Sequence, residues 1–150
     1  MKRSIIVVLL CVILGTFATA QSSRTVGVIL LSDVATYGDA AYLLLAARGL
    51  IDDEVGLAGA AGLLEFNGYG TPGRLWLDPI TLGEYAVLLR RVLGLPGGFM
   101  SALTEAPRYA VRDLRHYRII QGRAYPNMTI SGERMVRILG RALAWQDGTL

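Results

Sequence analysis

The sequence predicts an all-α fold built from tandem two-helix units, about two and a half to three of them, behind a cleaved signal peptide. Three observations carry that expectation. A Gly-acid pair recurs at Gly38-Asp39, Gly83-Glu84 and Gly132-Glu133. Apolar residues behind each pair fall at helical spacing, not at the alternating spacing of strands. The N-terminus has the basic, apolar, small-residue order of an export address.

The address comes first. Met1-Lys2-Arg3 is basic, Ile5 to Leu14 is an unbroken apolar run, and Ala18-Thr19-Ala20 offers the small-x-small pattern of a signal-peptidase site. The run is too short for a ~30 Å hydrocarbon slab. Cleavage before Gln21 and export to the periplasm or cell surface are therefore expected. An uncleaved anchor and a lipoprotein are the alternatives; Cys11 lies within the run, but Leu10 is a poor lipobox residue. The expected division is a signal peptide over 1–20, a lead-in segment over 21–35 and the helical repeat domain over 36–150.

Composition narrows the chemistry. The chain is 53% hydrophobic and 18% charged, which excludes a disordered tail. Loss of Lys2 and Arg3 reduces the 15 basic residues to 13, all Arg, against 12 acids. Cys11 is the one cysteine and it leaves with the leader. A disulfide framework, thiol chemistry and a Cys/His zinc site are thereby ruled out. No cofactor and no metal are expected. No later stretch is apolar and long enough for an integral membrane span after cleavage. Charge is uneven: residues 21–104 hold five Arg and eight acids, whereas 105–150 hold eight Arg and four acids.

Val26–Leu31 is a short apolar run that reads as a strand or as the segment covering a bundle. Three helix starts follow. Thr36 and Asp39, and Thr81 and Glu84, stand at capping-box spacing, where the hydroxyl accepts a backbone N–H and the acid reaches back to the cap. In the third start Ile130 occupies the cap register, so Thr129 or Ser131 caps instead, with Glu133 as the first-turn acid. The columns Ala41/Ala86/Met135, Tyr42/Val87/Val136 and Leu44/Leu89/Ile138 give each helix a buried stripe. These helices are expected to end near Gly49, Gly94 and Ala144.

Two further helices are expected over Gly56–Phe66 and Ala106–Ile120, the second with Pro107 in its first turn. The first is glycine-rich and invites close helix contact. Links rich in Gly and Pro, Asn67 to Pro79 and Gln121 to Thr129, lead from each into the next Gly-acid helix.

That order, helix, Gly turn, Pro, then Thr-x-Gly-acid, resembles the S-layer homology module, a unit that occurs in tandem. The clearest match runs from Arg108-Tyr109-Ala110 through Ile120-Gln121-Gly122 and Pro126 to Thr129–Glu133. The resemblance covers about residues 33–145. It implies a non-catalytic module that binds a cell-wall polymer, peptidoglycan or an associated acidic glycan. The tetrad Arg of that family is absent, with Tyr37, Leu82 and Ser131 in its place. A structural or adaptor role, docking an envelope protein with sugar binding lost, is the alternative.

Candidate ligand-binding residues are Gly122, Arg123, Tyr125, Arg134 and Arg137. Arg134, Arg137 and Arg141 share one helix face, as do Arg108, Arg112 and Arg115. Such rows either grip an acidic polymer through guanidinium forks or form solvated faces paired with Glu105 and Asp113. Tyr69, Trp76 and Tyr125 lie on the links, where they stack on sugars or plug gaps between helices. His116 and Asp113 are a helical pair without a nucleophile elbow, so catalysis is not expected. A near-neutral exported chain with no reading motif is not expected to bind nucleic acid.

Overall fold

A computed structural model describes residues 24–52, 54–98, 100 and 104–150; the signal peptide expected over 1–20 lies outside them. Among the described residues the regular structure is helical, with two isolated backbone bridges and no strand. An N-terminal helix α1 includes 24–30, where the sequence suggested a strand or a lead-in. Then come α2 (Tyr37–Ala47), α3 (Leu57–Phe66), α4 (Leu82–Leu93), α5 (Pro107–His116) and α6 (Gly132–Gln146).

The starts follow the chemistry of their caps. Thr36 Oγ1 accepts the Asp39 N–H at 3.2 Å while Asp39 Oδ2 accepts the Thr36 N–H at 2.8 Å. Thr81 and Glu84 make the same reciprocal pair at 3.3 and 2.9 Å. At α6 the cap is Ser131, whose Oγ accepts the Arg134 N–H at 3.3 Å. Thr129 is not that cap: it sits two residues upstream, in an antiparallel bridge with Thr81. Glu133 does not close a capping box either: with Ser131 as the cap it stands at the second helical position, one short of the capping-box register, and its carboxylate pairs with Arg137.

The ends are set by left-handed residues. Gly49, Gly68, Gly94 and Gly148 take positive φ just past α2, α3, α4 and α6. Past α5 that place belongs to Arg118, at φ 60. The chain turns there, and the N–H groups of Ile119 and Ile120 fold back onto the Leu114 carbonyl at 2.9 and 3.1 Å. This is why α5 stops at His116 and not near Ile120.

The packing pairs differ from those the sequence suggested. The first two Gly-acid helices pack chiefly against the helix that follows them, α2 against α3 and α4 against α5, while α2 also touches α4 and α6. The cause lies in the links, whose backbone passes another Gly-acid helix on the way to the one it leads into. Each link docks on the N-terminus of that other helix. Tyr37 and Gly38 N–H donate to the carbonyls of Asp78 and Trp76 at 2.8 Å, and Leu82 and Gly83 N–H donate to those of Met128 and Pro126 at 2.8 Å. The Gly132 N–H donates to Ser32 at 3.0 Å.

Glycine is needed at all three junctions because backbone passes so close. A Cβ on Gly38 would lie 2.9 Å from the Trp76 oxygen, and one on Gly83 would lie 2.6 Å from Pro107 Cβ and 2.9 Å from the Pro126 oxygen. One on Gly132 would overlap the Ile29 carbonyl. The segments behind these junctions meet in the core: Ala35 donates to the Ile130 carbonyl at 2.8 Å and accepts from Ile80 at 3.0 Å, and all three residues are buried. The stripe residues Ala41, Leu44, Ala86, Leu89, Met135 and Ile138 are buried around them. Burial of each Leu- or Ile-sized side chain contributes roughly 1.5–3 kcal/mol, which dominates the stability of this small core.

Candidate anion-binding site

The link 121–131 separates two arginine-lined grooves. One, of about 420 Å3, lies between the link and α6; Gly122 and Arg123 border it on one side and Glu133, Arg134, Arg137 and Arg141 on the other. The second, of about 460 Å3, lies against α5 and is bordered by Arg108, Arg112, Arg115 and His116, with Val111, Ala124 and Pro126 as its apolar lining.

The candidate residues take different parts. Arg134 is a clamp: its guanidinium donates to the carbonyls of Arg123 and Gln121 and so ties the link to α6. Burial, and then the charge of Arg137, lower its pKa from the ordinary arginine value. Arg137 is exposed and paired with Glu133 one turn earlier, an arrangement worth about 0.3–0.5 kcal/mol. Gly122 takes φ +75 and lets the link turn at the groove's rim. Tyr125 does not line the α6 groove and does not plug a gap: it is 71% exposed on the link. Tyr69, by contrast, packs against the core, and Trp76 lies over Gly38.

The acids expected to neutralise the Arg rows are engaged elsewhere. Glu105 pairs with Arg91 at 2.5 Å. Asp113 faces Arg90 at 3.9 Å and accepts the Gly98 N–H at 2.9 Å. Among the described residues Arg108, Arg112, Arg115, Arg123 and Arg141 form no ion pair. The sequence hides this diversion because Arg90 and Arg91 lie on α4, whereas Asp113 lies on α5 and Glu105 in the connection before it.

Asp113 therefore does not orient His116, whose ring instead packs edge-on against Tyr117 with centroids 5.5 Å apart. Among the described residues no cluster of His, Cys, Asp and Glu could hold a metal, and no helix is long and apolar enough to cross a membrane. Chemically the arrangement offers unpaired guanidinium groups, two open grooves and an exposed aromatic ring on the link beside them. Comparison with protein-family models, with curated proteins and with solved structures gives no match for this chain.

Proposed function

We propose that this protein is an exported, non-catalytic module of the cell envelope that binds an acidic wall polymer in the groove between the 121–123 link and α6. The observation that carries this reading is the diversion of Glu105 and Asp113 to α4, which leaves Arg108, Arg112 and Arg115 of the α5 groove without counter-acids among the described residues, while in the α6 groove Glu133 pairs with Arg137 and Arg123 and Arg141 form no ion pair there. A guanidinium fork recognises carboxylate and phosphate oxygens in two-point geometry. Exposed Tyr125 adds an aromatic face of the kind on which sugar rings stack.

The resemblance to S-layer homology repeats belongs to the same proposal. It is supported by the recurrent junctions, where Gly38, Gly83 and Gly132 each receive a crossing link and cannot carry a side chain. It is also supported by α1, a helix preceding α2 where the sequence reads as a strand or a covering segment. The export address supports a location in the periplasm or at the cell surface.

The test is co-sedimentation with purified wall sacculi at low and moderate salt. Retention is expected, weakening as salt rises, and it should fall in an Arg123→Gln/Arg141→Gln variant. Arg134 is left intact because its loss would release the link and blur the result. An absence of retention at low salt overturns the reading.

A further inference from the structure

We infer that the α5 groove is a second subsite for the same polymer, so that one glycan chain crosses the 121–126 link and engages both arginine rows. The inference rests on the proposed function and extends it to a ligand class: a linear acidic glycan bearing regularly repeated anionic groups.

The first argument is electrostatic. Arg108, Arg112 and Arg115 stand at i, i+4 and i+7 on one face of α5, a row about 10 Å long at 1.5 Å rise per residue. Like charges at this spacing destabilise a helix. The row nevertheless has no acid beside it among the described residues, since Asp113 of the same helix turns to Arg90. Arg108 rests on the Tyr109 ring, 4.7 Å from its centroid, and donates to the Tyr109 hydroxyl at 3.0 Å. Arg112 and Arg115 are exposed. An anionic ligand would relieve the repulsion along the row.

The second argument is continuity. Arg123 borders the α6 groove and Ala124 borders the α5 groove. These are consecutive residues, with Cα atoms about 3.8 Å apart, so a single pass of backbone separates the two depressions. A linear polymer that fills one groove needs only to step over that pass to reach the other.

The third argument selects a glycan. Tyr125 follows the Arg123–Ala124 pass, between the α5-groove residues Ala124 and Pro126, and is 71% exposed beside that groove. The α5 groove also presents Val111, Ala124 and Pro126 beneath its arginines. A pyranose ring offers C–H groups to such surfaces and carboxylate or phosphate to the guanidiniums above.

The experiment uses protein expressed from the full sequence and measures affinity by calorimetry for four probes. These are long polygalacturonate, its trimer, poly(glycerol phosphate) and single-stranded DNA of matched charge. The third carries phosphodiesters on a backbone without sugar rings, so binding to it as tight as to polygalacturonate and indifferent to Tyr125→Ala overturns the glycan as ligand. In an Arg112→Gln/Arg115→Gln variant, long-polymer affinity should fall roughly tenfold, from two lost charge contacts and the avidity they supply, while the trimer changes less than threefold. Arg123→Gln/Arg141→Gln should weaken both lengths, and Tyr125→Ala should weaken the long glycan. Unchanged long-polymer affinity in the α5 variant, with loss in the α6 variant, overturns the second subsite and leaves the first groove standing. Equal loss for trimer and polymer makes the α5 groove an independent site and overturns the crossing. DNA binding as tight as glycan binding and indifferent to Tyr125→Ala overturns the ligand class. If the wild type binds neither acidic polymer, the proposed function falls first.

Discussion

Replacing Gly83 by Ala tests the junction on which the fold turns. The added Cβ would lie 2.6 Å from Pro107 Cβ and 2.9 Å from the Pro126 oxygen. Carbon atoms in good contact stand about 3.5–4.0 Å apart, so α5 or the link must retreat by about 1 Å. Retreat stretches the Gly83 N–H to Pro126 bond and its neighbour from Leu82 to Met128, both at 2.8 Å. Overpacking a fitted site costs about 1–3 kcal/mol, and weakening a hydrogen bond adds about 1 kcal/mol. Alanine's better helix propensity returns at most about 1 kcal/mol. The net is a loss of about 2 kcal/mol. Gly140 is the internal control: it lies inside α6 with no neighbouring atom within 4 Å of its missing Cβ. Gly140→Ala should therefore stabilise by about 0.5–1 kcal/mol. Urea unfolding followed by circular dichroism, with unchanged m-values, compares the two. If Gly83→Ala is as stable as the wild type, or gains stability as Gly140→Ala does, the junction argument is wrong.

Two further outcomes follow from buried and strained groups. Tyr85 is fully buried and donates to the Met135 carbonyl at 3.1 Å, and burial pushes its phenol pKa up. Above pH ~10 the unfolded chain then releases a proton the folded chain retains, so stability falls as pH rises past the unfolded value. Tyr85→Phe should cost about 1 kcal/mol near neutrality and show a shallower alkaline decline, part of which persists because Tyr37 is raised in the same way, chiefly by burial; denaturation curves with parallel alkaline limbs would refute this. Arg118 holds a left-handed conformation that costs a residue with a Cβ, so Arg118→Gly should stabilise by about 0.5–1 kcal/mol in the same urea assay, and a loss would show that its side chain supports the turn.

What the sequence revealed and what it hid divide along physical lines. Thr36/Asp39 and Thr81/Glu84 were legible because a capping box is made within four consecutive residues. The third start was harder: Thr129 and Ser131 are both competent hydroxyls, and only the crossing of Thr129 with Thr81 decides between them. The segment 24–30 was ambiguous because a short apolar run has no periodicity of its own. Partner choice between helices was hidden as well, since α2 packs on α3 and α4 on α5 through links whose course is decided at Gly38 and Gly83. The arginine rows were plain from their spacing. Their lack of counter-acids was not, because Arg91 meets Glu105 across 14 positions and Arg90 meets Asp113 across the helix pair.

That hidden pairing changes the electrostatics of the whole molecule. By composition, residues 105–150 hold eight Arg and four acids. Two of those acids, Glu105 and Asp113, are turned toward α4, so Glu133 and Asp147 are the ones left for the eight. Residues 21–104 show the converse, since Arg90 and Arg91 are drawn toward α5 and Arg74 is shared between Asp78 and Glu84. A chain whose formal charge is only +3 thus carries a cationic C-terminal surface around two adjoining grooves. Within the ~8 Å Debye length of physiological salt, a polymer on the 121–126 link senses that local surface and not the net charge. The small formal charge of the chain is therefore no argument against polyanion binding, and the salt dependence of retention should reflect the unpaired arginines at the grooves.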